Sequence, residues 1–124
     1  MSVFLRGIIT PDYLPLVDKF FLVGPKEDIP VTAILDTGFS GTIVLPHTLR
    51  SAGQFEFSGL ARYELANGQI ILVELYKTTI RIGKRTLAAD ISFTDSTLGM
   101  IGMAFIDGKR AIFDLQRHIF KVLD

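Results

Sequence analysis

An acid, a hydroxyl and a glycine, Asp36-Thr37-Gly38, stand between two strongly apolar runs, Ala33-Ile34-Leu35 and Ile43-Val44-Leu45. An ionised carboxylate among would-be core strands is costly unless it is paired, neutralised or richly hydrogen-bonded, so its presence calls for a chemical reason. Acid–base work shared with a second carboxylate is one such reason. Two carboxylates within hydrogen-bond reach cannot both ionise, so they share a proton and titrate as a coupled pair, one serving as base and the other as acid. Asp36 reads as half of such a pair.

Other chemistries fit these residues less well. Gly38-Phe39-Ser40-Gly41-Thr42 nearly spells a hydrolase nucleophile elbow, but Thr42 stands where the last glycine belongs and no strand-to-helix pattern follows, which argues against a serine hydrolase. A phosphoryl-accepting aspartate is disfavoured too, because no second Asp lies two residues on and no parallel α/β pattern surrounds the site. His47 and His118 are isolated from each other and from ligand-spaced acids, so no metal site is expected.

The elements that must position Asp36 read as short strands. Apolar and β-branched segments alternate with Gly, Pro, Asn and Asp punctuation, which favours an all-β sandwich or barrel. Strands are expected at Val3 to Ile9, Leu16 to Val23, Val31 to Leu35 and Thr42 to Leu45, with a loop at Gly24 to Asp28. Pro46 and His47 to Gly53 predict a helix of at most two turns closed by glycine. Phe55 to Leu65 and Gln69 to Ile82 flank Ala66-Asn67-Gly68, a strong hairpin signal, because Asn and Gly tolerate positive φ. A second hairpin is expected at Gly83-Lys84, returning through Leu87 to Phe93. The apolar segment Leu98 to Ile106 should run from a strand into a helix-like turn stopped by Asp107-Gly108, and Ala111 to Leu115 and His118 to Leu123 predict a last strand pair.

Composition narrows the function classes. A chain of 124 residues suits one domain, residues 1–124, and is too short for two copies of a typical fold. Lys and Arg number 13 against 13 Asp and Glu, and no basic block forms the footprint of a nucleic-acid or anionic-membrane binder, so neither partner is expected. The absence of cysteine removes disulfides, thiolate metal sites and cysteine nucleophiles. No apolar run approaches the roughly 20 residues needed to span a bilayer and no basic leader opens the chain, so a soluble cytoplasmic protein is the expectation. A hydrophobic content of 48%, with 10 Phe, supplies a packed core and would also suit an apolar subunit contact.

Ile34-Leu35-Asp36-Thr37-Gly38 resembles the active-site loop of the retropepsin-like aspartic peptidases, an apolar pair followed by Asp-Thr/Ser-Gly. Met100-Ile101-Gly102 followed by Met103-Ala104-Phe105-Ile106 is similar to the family's second element, two apolar residues and a glycine before a short helix. The hairpin tipped by Asn67-Gly68 lies between the two, as the family's flap does. The longer match Asp36 to Thr42, with Leu45-Pro46 after it, especially resembles small single-domain bacterial and archaeal members. The resemblance implies an all-β closed barrel with a flap hairpin and one or two short helices, acting as an aspartic endopeptidase on an extended polypeptide without cofactor or metal. Asp36 would be catalytic, Thr37 would bond across to the partner loop, and Gly38 would let backbone N–H groups approach the carboxylate. Phe39, Ser40, Asn67 and Gly68 would meet substrate, while Ile34, Leu35, Met100, Ile101 and Gly102 would stiffen the site and keep water out. Phe39 departs from the family, which usually carries a small residue there.

Only one such loop is present: Asp95-Ser96-Thr97 lacks the glycine and Asp107-Gly108 lacks the hydroxyl. The resemblance therefore implies a homodimer in which each subunit contributes Asp36. The alternatives are a noncatalytic member of the same fold that binds peptides or dimerises, and a subunit that pairs with a different Asp-Thr-Gly chain.

Overall fold

The computed structural model describes residues 2–124, and strands make up 56% of it against 6% helix, which makes the fold all-β. The first strands are β1 (Val3–Ile9), β2 (Pro15–Val17), β3 (Phe20–Val23), β4 (Asp28–Pro30), β5 (Ala33–Leu35) and β6 (Ile43–Pro46), of which β3 and β5 alternate between more and less buried residues while β6 is buried throughout. They are followed by β7 (Glu56–Glu64), β8 (Ile70–Ile82), β9 (Arg85–Thr94), β10 (Gly99–Ile101), β11 (Arg110–Asp114) and β12 (Ile119–Leu123). Among the described residues the helical segments are two single 3-10 turns, His47–Leu49 and Met103–Ile106.

All twelve strands belong to one mixed sheet in the order β11-β12-β1-β2-β5-β10-β6-β9-β8-β3-β4, with β7 added on β8. The sheet is not closed, which corrects the expectation of a closed barrel: its hydrogen-bonded path ends at β11 and at β4. β4 has three residues, one of them Pro30, which has no N–H to offer a further strand.

The predicted strand Leu16 to Val23 is two strands. Lys19 takes a positive φ of 53°, which turns the chain so that β2 pairs with β1 and β5 while β3 pairs with β4 and β8. Asp28, expected in a loop, opens β4 instead and forms an ion pair with Arg81 at 2.5 Å.

Leu22, Leu35, Ile43, Leu45, Ile80, Ile91 and Ile101 are at most 1% exposed and lie in one continuous apolar cluster. Burying each of these side chains contributes about 1.5–3 kcal/mol. At the sheet's other side β1 and β12 are tied by the Asp124 N–H, which donates to the Ser2 carbonyl at 3.0 Å. The Arg85 guanidinium, with smaller contributions from Ser2 and Lys109, holds the Asp124 carboxyl well below the usual carboxylate range. No helix among the described residues is long and apolar enough to cross a membrane.

Ile101 sits where the core meets the Asp36 loop. Ile101→Ala should lower stability by about 2–5 kcal/mol through the cavity it leaves, read as a lower urea midpoint with unchanged slope.

Candidate active site

Strand order dictates the site. β10 lies between β5 and β6, parallel to β5 and antiparallel to β6, so the segment joining β5 to β6 must pass over the C-terminal end of β10. That segment carries Asp36. Four backbone bonds stitch the crossing: the Asp36 N–H donates to the Ile101 carbonyl at 2.9 Å, Gly102 N–H to Thr42 at 2.7 Å, Met103 N–H to Phe39 at 2.8 Å and Ala104 N–H to Gly41 at 3.1 Å. The Thr42 hydroxyl ties the same segment to β9 by donating to the Asp90 carbonyl at 2.5 Å.

The crossing is close because Gly102 turns no side chain toward the loop. A Cβ on Gly102 would collide with the Gly41 carbonyl oxygen and come within 2.8 Å of the Phe39 carbonyl and 2.6 Å of its ring. Gly102 was expected to allow packing beneath the loop, and the contact it permits is with backbone.

Asp36 is half-buried at the strand end, and its Oδ1 accepts the Gly38 N–H at 2.9 Å. Thr37, Gly38 and Ser40 are exposed, and among the described residues no hydrogen bond joins the Thr37 hydroxyl to another group. Leu35 and Ile101 are core residues that fix the loop from below, while Ile34 and Met100, paired across β5 and β10, are half-buried on the opposite face. These predicted residues are therefore brought together around one backbone crossing.

Asn67 and Gly68 are placed differently. Their polar groups serve the hairpin itself: the Gly68 N–H donates to the Leu65 carbonyl at 2.9 Å, and the Asn67 Oδ1 accepts the Gln69 N–H at 2.9 Å. Gly68 alone of the two takes a positive φ, 83°. What links the hairpin to the Asp36 loop is Tyr63 on β7, whose ring centroid lies 5.5 Å from that of Phe39.

Tyr63 was not found by sequence reasoning. Its signal lies in cross-strand register: Ala61, Tyr63, Ile71 and Val73 share one face of the hairpin and are all half-buried, whereas Leu60, Arg62, Leu72 and Glu74 on the other face are exposed. The covered face of β8 also switches along its length. From Tyr76 to Ile82 the even-numbered residues enter the core, and beyond the irregularity at Phe57 to Gly59 it is the odd-numbered ones, up to Ile71, that are covered. Burial raises the Tyr63 phenol above its ordinary value.

Neither histidine belongs to this site. His47 packs edge-on against Phe93 at 5.8 Å, and the His118 ring bonds the Ile9 carbonyl through Nδ1 at 3.0 Å. Two cavities of about 640 and 520 Å3 lie against β1, with β2 and β12 or with the β8–β9 turn, and neither includes a residue of the Asp36 loop.

Gly102→Ala should displace the loop or cost about 1–3 kcal/mol, because the added methyl meets backbone and cannot swing aside. Thermal unfolding together with the amide chemical shifts of residues 36–42 would show both effects, and wild-type values in each would exclude the close approach. No protein-family model, curated protein or solved structure matches this chain, so its function is argued from the geometry of the Asp36 crossing.

Proposed function

We propose that the chain is a retropepsin-like aspartic endopeptidase, active as a homodimer in which each subunit supplies one Asp36. The observation that carries the reading is the crossing itself: an acid at a strand end whose N–H bonds the Ile101 carbonyl, in a loop further tied to Gly102 through Thr42, with one carboxylate oxygen bonded to the Gly38 N–H and beside it a threonine hydroxyl that has no hydrogen bond among the described residues. This is half of a two-carboxylate site. A second copy related by a two-fold axis would supply the other acid and a partner for Thr37.

In this reading the ionised Asp36 takes a proton from a water held between the two carboxylates as the water oxygen bonds to the scissile carbonyl carbon. The protonated Asp36 gives its proton to the carbonyl oxygen, forming a neutral gem-diol. The roles then exchange: the nitrogen receives a proton, the C–N bond breaks, and an acid and an amine are released. In this reading the β7–β8 hairpin serves as the flap, its half-buried apolar face closing on an extended peptide.

One observation favours a second reading, a noncatalytic peptide-binding or dimerisation module: the Phe39 ring and Tyr63 together fill space between hairpin and loop. Cleavage of a denatured protein across acidic to neutral pH separates the two. Inhibition by a statine-type compound and a loss of about 10²- to 10⁴-fold in Asp36→Asn, with the variant still folded and dimeric by sedimentation, is the expected result. A dimer that never cleaves supports the module, and full activity in Asp36→Asn removes the peptidase.

A further inference from the structure

Phe39 is the residue that most alters the ground beside Asp36. Its N–H donates to the Asp36 carbonyl at 3.2 Å and its own carbonyl accepts the Met103 N–H, so the backbone that carries the ring is fixed at both ends. The ring then lies across two glycines. An ideal Cβ on Gly102 would be 2.6 Å from the ring's Cδ2, and one on Gly41 would be 2.9 Å from its Cε1. Tyr63 caps the arrangement from the hairpin, with its ring tilted 56° to that of Phe39 and its hydroxyl 2.5 Å from where a Gly41 Cβ would stand.

Three segments thus meet at one aromatic contact: the Asp36 loop, the glycine after β10 and the hairpin. A tilted aromatic pair at this separation is attractive beyond the area it buries, which favours one position of the hairpin. Under the proposed function a substrate strand passes between the hairpin and the loop, the gap into which Phe39 and Tyr63 project.

We propose that Phe39, roofed by Tyr63, is the specificity-determining residue of the site, filling the subsite beside Asp36 so that the peptide must present glycine, alanine or serine there. The inference rests on the peptidase reading and adds its substrate class. A large substrate side chain would have to displace a ring seated on backbone at Gly41 and Gly102, which leaves it little room to retreat. A small residue lets the peptide backbone pass alongside the Phe39–Tyr63 pair with neither ring displaced.

The test profiles cleavage of a synthetic peptide mixture, sampling every residue type on either side of the scissile bond, by wild type, Phe39→Ala, Tyr63→Ala and Asp36→Asn, with sites read by mass spectrometry. Wild type should cut only where a small residue flanks the bond at one fixed position. Phe39→Ala should extend cleavage to Leu, Met and Phe there, raising kcat/KM for those peptides at least tenfold, and Tyr63→Ala should do so to a smaller degree. Cleavage by Phe39→Ala alone, with wild type inert even on peptides carrying glycine, alanine or serine there, would show that the ring closes the cleft altogether and would overturn the small-residue preference.

Asp36-dependent cleavage by wild type next to bulky residues, with the same profile in both aromatic variants, overturns the inference and leaves the peptidase reading standing. If no variant cleaves, or Asp36→Asn cleaves like wild type, the reading falls and the inference with it. Independently of activity, phenolate absorbance of wild type minus Tyr63→Phe isolates the Tyr63 titration. Its midpoint should lie above the ordinary value of about 10 and move down toward it in Phe39→Ala, and an unmoved midpoint would show that Phe39 does not bury the phenol.

Discussion

Close approach of two backbones, the turn at Gly41 and the strand exit at Gly102, holds the candidate site together. With β10 slotted between β5 and β6, parallel to the first and antiparallel to the second, the β5–β6 connection must cross the end of β10, and that connection carries the acid. A side chain at Gly102 would separate the two segments and break the bonds that join residues 36, 39, 41 and 42 to residues 101–104, while one at Gly41 would displace the Phe39 ring and the Tyr63 hydroxyl. The position of Asp36 is thus set by backbone, which makes it stiffer than a loop held by side chains alone.

The core supports this crossing from one side. Leu35 and Ile101 are neighbours in register at the end of the β5–β10 pair, each at most 1% exposed, so the residues before the acid and before Gly102 are fixed by packing. On the other side stands the hairpin, an arm whose covered face is opposite to the one its lower half turns to the core. An arm with few core contacts can move on fast timescales, and its aromatic contact with Phe39 gives it a resting place.

Much of this was legible in local sequence. The apolar segment Val3 to Ile9 forms β1 with those bounds, and Ala66-Asn67-Gly68 marks the tip of the long hairpin. Apolar residues on both sides of Asp36-Thr37-Gly38 pointed to an acid at a strand end. What was not legible depends on partners distant in the chain. The division of Leu16 to Val23 follows from β2 and β3 taking different neighbours, and the open sheet follows from how β4 and β11 end it. Tyr63 was missed because its role appears only once β7 and β8 are in register and folded over Phe39, 24 residues away in sequence.

Whether the site is truly shared between subunits can be read from mixed dimers. Wild type and Asp36→Asn, refolded together at fixed total protein, give activity that depends on the fraction of wild-type chains. If each active site needs an Asp36 from both subunits, activity follows the square of that fraction, about a quarter at an equal mixture. Activity proportional to the fraction, about half at an equal mixture, would mean that one Asp36 suffices and would contradict the paired-carboxylate site.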